Sequence, residues 1–138
     1  MEWYLKVLKE HYADFNGRAR RQEYWMFVLF NTLVAFGIII VGGILTALTD
    51  TDAIMQFFVG LYIIYILGTF IPSIAVLVRR LHDTNNSGAY YFMSFIPLVG
   101  PILLLVKLVE DGTRGTNQYG VDPKNPNDEI NEIGQPKI

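Results

Sequence analysis

Three stretches of this chain are too apolar for water to be their solvent. Residues 26–48 (MFVLFNTLVAFGIIIVGGILTAL) and 53–78 (AIMQFFVGLYIIYILGTFIPSIAVLV) contain no Asp, Glu, Lys, Arg or His, and residues 89–109 (AYYFMSFIPLVGPILLLVKLV) carry only Lys107. Each reaches the roughly 20 residues a helix needs to cross a hydrocarbon core. Burial inside a soluble fold is the alternative. With 138 residues, 51% hydrophobic and 17% charged, three such helices would leave almost no polar surface to cover them. The runs therefore predict an all-α integral membrane protein. Residues 1–17 form an interfacial amphipathic helix. Residues 18–109 form a membrane domain with two full transmembrane helices and a third, Pro-broken membrane segment. Residues 110–138 are a polar, largely mobile C-terminal tail.

Within residues 2–15, Tyr4, Leu8, Tyr12 and Phe15 recur at helical spacing, with Lys6, Lys9 and Glu10 pointing elsewhere. Such a helix either lies in the headgroup plane or packs on the bundle. Topology follows from Lys and Arg: five precede the first run, none lies between the first two, and Arg79 and Arg80 follow the second. The positive-inside rule then puts the N-terminus and residues 79–88 in the cytoplasm and residues 49–52 outside. The third run holds Pro97 and Pro101 and reads in two ways: one kinked span, favoured on length, or a re-entrant hairpin that returns the tail to the arginine side.

Several chemistries are disfavoured. The chain has no cysteine and two histidines, His11 and His82, so neither a metal nor a cofactor is expected. The middle of each run lacks an ionisable group, whereas ion-coupled carriers usually need one. Asn31 and Gln56 read as interhelical hydrogen-bonding groups, Pro72 as a kink, and Gly42, Gly43, Thr46 and Ala47 as a close helix contact. No nucleic-acid partner is expected.

Two polar motifs remain. RARRQEYW opens the first run with Arg18, Arg20, Arg21 and Glu23, and RRLHDT closes the second with Arg79, Arg80, His82 and Asp83. Arginines grip phosphoryl oxygens with directed hydrogen bonds, and basic residues draw anionic headgroups. The two motifs are read as one cluster in which Glu23 and Asp83 pair among the arginines and which binds anionic phospholipid or a protein partner. Trp3, Tyr24, Trp25, Tyr90 and Tyr91 are the expected interfacial anchors. The leading expectation is a non-enzymatic binding or scaffold protein, with a homo-oligomer or membrane-protein partner conceivable. The alternatives are a small oligomeric transporter or channel lined near Pro72 and Pro97/Pro101, and a lipid-modifying enzyme using His82 and Asp83.

Four ordered blocks, FNGRARRQEYW (15–25), VRRLHDTNNSG (78–88), IPLVGPILLL (96–105) and GTRGTNQYGVDP (112–123), resemble the bacterial domain-of-unknown-function 805 family (YhaH-like inner-membrane proteins). The resemblance covers about residues 1–123. After Ser87 this chain has Tyr90 and Tyr91 where relatives often carry tryptophans. The resemblance implies a multi-pass bacterial inner-membrane protein and brings no activity with it. It also directs attention to Asn117, Tyr119, Gly120, Asp122 and Pro123 in the tail.

Overall fold

A computed structural model describes residues 2–123; residues 124–138 of the expected polar tail lie outside the described part. The elements run α1 (Glu2–Lys9), α2 (Arg21–Thr49), α3 (Asp52–Asp83), a 3-10 helix (Gly88–Phe95) and α4 (Val99–Val109). α2 and α3 are the two uncharged runs extended at one end by the two arginine motifs. They form a hairpin closed at Asp50, which takes a left-handed φ of 51° and caps α2 by donating its N–H to the Thr46 carbonyl. The helices come into close contact at Gly42, where an added Cβ would stand 2.6 Å from the Phe58 side chain.

With 29 and 32 residues, α2 and α3 are about 43 and 48 Å long at 1.5 Å per residue, against a hydrocarbon core of roughly 30 Å. The surplus falls at the arginine end. The buried apolar side chains gather there (Val7, Ala19, Phe27, Ala75, Val76, Leu81, Leu104 and Leu108), while residues 29–71 leave a long row of large apolar side chains exposed. A packed head thus wraps one end of a helical hairpin whose other end is bare hydrocarbon.

α1 packs on the head instead of lying free. Val7 is fully buried, Tyr4 stacks on Phe27 at 5.5 Å, and its hydroxyl meets that of Tyr65 at 2.8 Å. Tyr65 in turn donates to Asn31 Oδ1 at 2.7 Å, so Asn31 does join the two long helices, whereas Gln56 is exposed. The expected helix over 2–15 stops at Lys9. Asp14 draws the following chain into a turn, accepting from the Asn16 N–H at 3.1 Å and bonding His11 Nδ1 at 2.8 Å. Beyond that turn the chain still serves α3. Pro72 has no N–H to give the Gly68 carbonyl one turn back, and the Tyr12 hydroxyl donates to that carbonyl at 2.6 Å. α3 runs on through Pro72.

Residues 89–109 do not form one continuous span. The 3-10 helix and the eleven-residue α4 double back at Ile96–Leu98, so the reading as a single kinked span gives way to the hairpin. The prolines explain it. Pro101 sits in the first turn of α4, where backbone N–H groups have no helical partner, and in an apolar setting a residue without an N–H removes that cost. Leu98 takes a φ of 68° in a three-residue turn closed by Val99 N–H to Pro97 carbonyl at 2.8 Å. Gly100 lets the two arms meet: its missing Cβ would lie 1.8 Å from the Met93 carbonyl oxygen. Phe92, Phe95, Ile96, Leu98 and Ile102 point their apolar surfaces outward from this hairpin.

Candidate functional site

The end of α3 is the hub of the head. Arg79, Arg80, Leu81 and Asp83 are all buried, although four polar or charged neighbours (Arg79, Arg80, His82, Asp83) share one turn. Burial of so much charge requires partners, and each side chain reaches a different element. Arg79 Nη1 donates to Glu23 Oε1 at 2.8 Å, tying α3 to the first turn of α2. Glu23 there also suits the positive end of the α2 dipole, as the arginines suit the negative end of α3. Arg80 pairs with Asp83 and caps α4, donating from Nε to the Leu108 carbonyl at 3.1 Å and from Nη2 to the Glu110 carbonyl. Trp25 Nε1 and Arg21 Nη1 add bonds to the Leu108 and Val109 carbonyls at 3.3 and 3.1 Å. The terminal carbonyls of α4, which lack helical partners, are thus met by donors from α2 and α3.

Arg18 organises the tail. Its Nε donates to Asp83 Oδ1 at 3.0 Å, and its Nη atoms donate to the carbonyls of Thr113, Gly115 (2.6 Å) and Gly120 (3.4 Å). The Thr113 N–H donates back to the Asp83 carbonyl at 2.6 Å. Gly112 is required here, since a Cβ would meet Asp83 Oδ2 at 2.0 Å. Residues 112–123 therefore form a strap. Asn117 and Gly120 exchange backbone bonds across a tight turn, the Tyr119 N–H donates to Asn117 Oδ1 at 2.9 Å, and Asp122 accepts from the Gly115 N–H at 3.1 Å. Asn117 Nδ2 donates to the His82 carbonyl at 2.9 Å, and the Tyr119 ring lies flat on the His82 ring at 4.0 Å. Pro123 ends the strap against the pocket described below.

Of the expected cluster, Arg18, Glu23, Arg79, Arg80, His82 and Asp83 come together, and the Glu23 and Asp83 pairings fall among the arginines. Arg20 and Arg21 stay on the rim. Arg20 and Lys6 both lie over the Trp3 ring, at 5.8 and 5.3 Å from its centroid, and Arg21 is 3.4 Å from Asp111. Tyr24 and Trp25 meet edge to face and are half-buried beside Leu81 and its neighbours, as is Tyr90, while Tyr91 is exposed. His82 and Asp83 do not form an acid–base pair. His82 Nδ1 must carry the proton, because its partner at 3.0 Å is the Gly17 carbonyl, and both Asp83 oxygens accept from arginines.

These groups lie beyond the apolar run of α3, in the surplus length of the helix. Burial pushes the Asp83 carboxyl above its ordinary value, against the pull of Arg80 and Arg18. Burial also pushes His82 down, against its bond to Gly17. Asp14 goes the other way: burial would raise it, yet His11, the Asn16 N–H and nearby Arg79 together hold it below the usual carboxylate value. Among the described residues no group of three His, Cys, Asp or Glu side chains is placed to hold a metal ion.

Two features escaped the sequence reading. One is a pocket of about 240 Å3 between α1, the 10–20 turn and the head, walled by Trp3, Lys6, His11, Asp14, Arg20 and Arg79 among others. The other is the bond from Tyr12 to Gly68. Pro72 was a signal for that second feature, since it leaves one carbonyl without a helical donor; nothing in residue order marked the first.

Residues 12–121 match the family described as "Protein of unknown function (DUF805)". The chain is 45% identical to "Inner membrane protein YhaI" of Escherichia coli (strain K12) over 129 residues, which cover 90% of this chain and 97% of that protein. It is 40% identical to "Inner membrane protein YhaH" of the same strain, over 90% of this chain and 98% of that one. No solved structure matches. The lipid-length apolar helices, the exposed apolar surface along them and these two inner-membrane relatives agree, and the chain is a multi-pass inner-membrane protein belonging to the DUF805 family.

Proposed function

We propose that this protein is a non-enzymatic binding protein that holds anionic phospholipid at the cytoplasmic end of its helical hairpin. The observation that carries the reading is the rim of the head. Lys6 and Arg20 both lie over the Trp3 ring, Lys9 stands on the same helix as Lys6, and Arg21 is half-exposed at the start of α2. Cations around an interfacial aromatic ring, where a helix leaves the hydrocarbon, match the headgroup layer, each contributing about 1 kcal/mol of attraction to an anionic surface. The buried arginines supply the scaffold for that rim: Arg18 and Arg80 are spent on internal partners, and Arg79 gives one nitrogen to Glu23. The excess of Lys and Arg at this end supports a cytoplasmic orientation.

The test is the lipid that co-purifies with the protein in a mild detergent. Wild type is expected to carry phosphatidylglycerol in excess over phosphatidylethanolamine relative to the source membrane, and K9A/R21A to lose at least about half of that enrichment. Unchanged lipid composition in the double variant defeats the reading.

A second reading, a small oligomeric transporter, draws on two adjoining cavities of about 290 and 320 Å3 along α2 and α3 that share Asn31 and Thr32, in walls that are mostly apolar and also carry Ser73, Tyr24, Tyr62 and Tyr91. Solute flux in proteoliposomes that is lost in N31L supports it, and absence of flux for a panel of small solutes counts against it.

A further inference from the structure

The pocket at the α1 edge of the head has an electrostatic imbalance. Its walls include four cations, Lys6, Arg18, Arg20 and Arg79, and two carboxylates, Asp14 and Glu23. Part of that charge is committed. Arg18 is spent on Asp83 and the strap, Glu23 on Arg79 Nη1, and Asp14 on His11 and the Asn16 N–H. Arg79 is 2% exposed and yet uses only one edge of its guanidinium: Nε and Nη2 are buried with no protein acceptor, as is Arg20 Nε. An arginine has five N–H donors in a rigid fork, and buried donors without acceptors cost free energy that a native fold normally avoids. The Nε and Nη2 pair is the edge that binds an oxyanion with two parallel hydrogen bonds. The ion pairs of the buried knot join three guanidinium groups (Arg18, Arg79 and Arg80) to two carboxylates, Glu23 and Asp83, with Asp14 close enough to Arg79 to feel its charge.

We propose that this pocket is an oxyanion-binding site in which Arg79, with Arg20 and Lys6, receives a phosphate group. The site rests on the reading of this end as a phospholipid-binding surface, and it deepens that reading by giving one phosphate a defined seat distinct from the rim cations Lys9 and Arg21. A volume of about 240 Å3 admits a tetrahedral oxyanion. Trp3 and Lys6 of α1 stand in the pocket wall, and the phosphate is that of a phospholipid headgroup or of a phosphorylated solute.

The full chain, purified and delipidated in an uncharged maltoside detergent, is titrated with sodium phosphate against sodium chloride of equal ionic strength, and separately with short-chain phosphatidylglycerol, with the unfolding temperature as readout. Stabilisation by about 3 °C or more with inorganic phosphate identifies a free-oxyanion site; stabilisation with phosphatidylglycerol alone identifies a headgroup site. R79K keeps the ion pair to Glu23 and loses the fork, and is expected to weaken binding by about tenfold or more. R20Q, which leaves the Arg79–Glu23 pair intact, is expected to weaken it by a smaller factor, and it carries the test if R79K does not insert. No stabilisation by either ligand, or binding that neither R79K nor R20Q changes, overturns the site. K9A/R21A separates the two readings: loss of lipid enrichment there with phosphate binding intact leaves both standing, and loss of phosphate binding in R79K or R20Q with lipid enrichment untouched by K9A/R21A leaves the pocket standing without the rim.

Discussion

At the scale of single residues, the head is held by side chains that each satisfy backbone groups stranded by the fold. Arg18 is the extreme case, with one guanidinium serving a carboxylate and three strap carbonyls. Replacing Arg18 with Gln leaves Asp83 short of one counter-charge and the carbonyls short of donors. A loss of about 3–5 kcal/mol is expected, read as a lowered unfolding temperature together with protease cleavage within 112–123 that wild type resists. Tyr12→Phe removes only the donor to the Gly68 carbonyl, at an expected cost of about 1–2 kcal/mol; thermal unfolding indistinguishable from wild type would show that the carbonyl left by Pro72 needs no partner. Asp14 supplies a pH dependence. Its carboxyl lies below the ordinary value in the fold, so its stabilising effect is present above the unfolded-state value, about 4, and is lost as pH falls through the lower folded value. Acidification from pH 5 to pH 3 is expected to loosen the 10–20 turn more in wild type than in D14N, followed by tryptophan fluorescence of Trp3.

At the scale of elements, glycines and prolines decide how close backbones come. IPLVGP was legible as a break in the third apolar run, and the prolines were correctly read as disruptive. What residue order could not supply was the direction of the chain after the break. That is set by Gly100 meeting the Met93 carbonyl and by Leu108 and Glu110 finding Arg80, which lies about 30 residues away in sequence. Gly100→Ala forces those two arms apart, and a reduced yield of inserted protein with an unfolding loss of about 1–3 kcal/mol is expected. Gly42→Val, driven against Phe58, is expected to cost a similar amount; an unchanged unfolding temperature would mean that the hairpin can separate there freely. The amphipathic reading of residues 2–15 turned Tyr4 and Leu8 inward, as they are, but Tyr12 and Phe15 of the same face lie beyond the helix and are exposed. It overran the helix because the bonds made by Asp14 are as local as the helix they interrupt and give no periodic signature.

At the scale of the whole molecule, the strap and the two arginine motifs share one end, because Arg18 touches residues 113–120 directly. Reporters placed before Glu2 and after Pro123 are therefore expected to fall on the same side of the membrane, and opposite signals from the pair would restore the single third span. Residues alone determined that the chain enters a membrane, that two helices cross it as a hairpin and that charge collects at one end. Those properties depend on the transfer of apolar surface and backbone from water, which is additive along the chain and readable from composition and run length. The tertiary structure decided the return of the third segment, the partner of each arginine and the pocket beside Arg79. Each of these is a pairing between groups as much as 102 positions apart, and a choice among several arginines and several carbonyls is settled only when packing brings particular ones within hydrogen-bond distance.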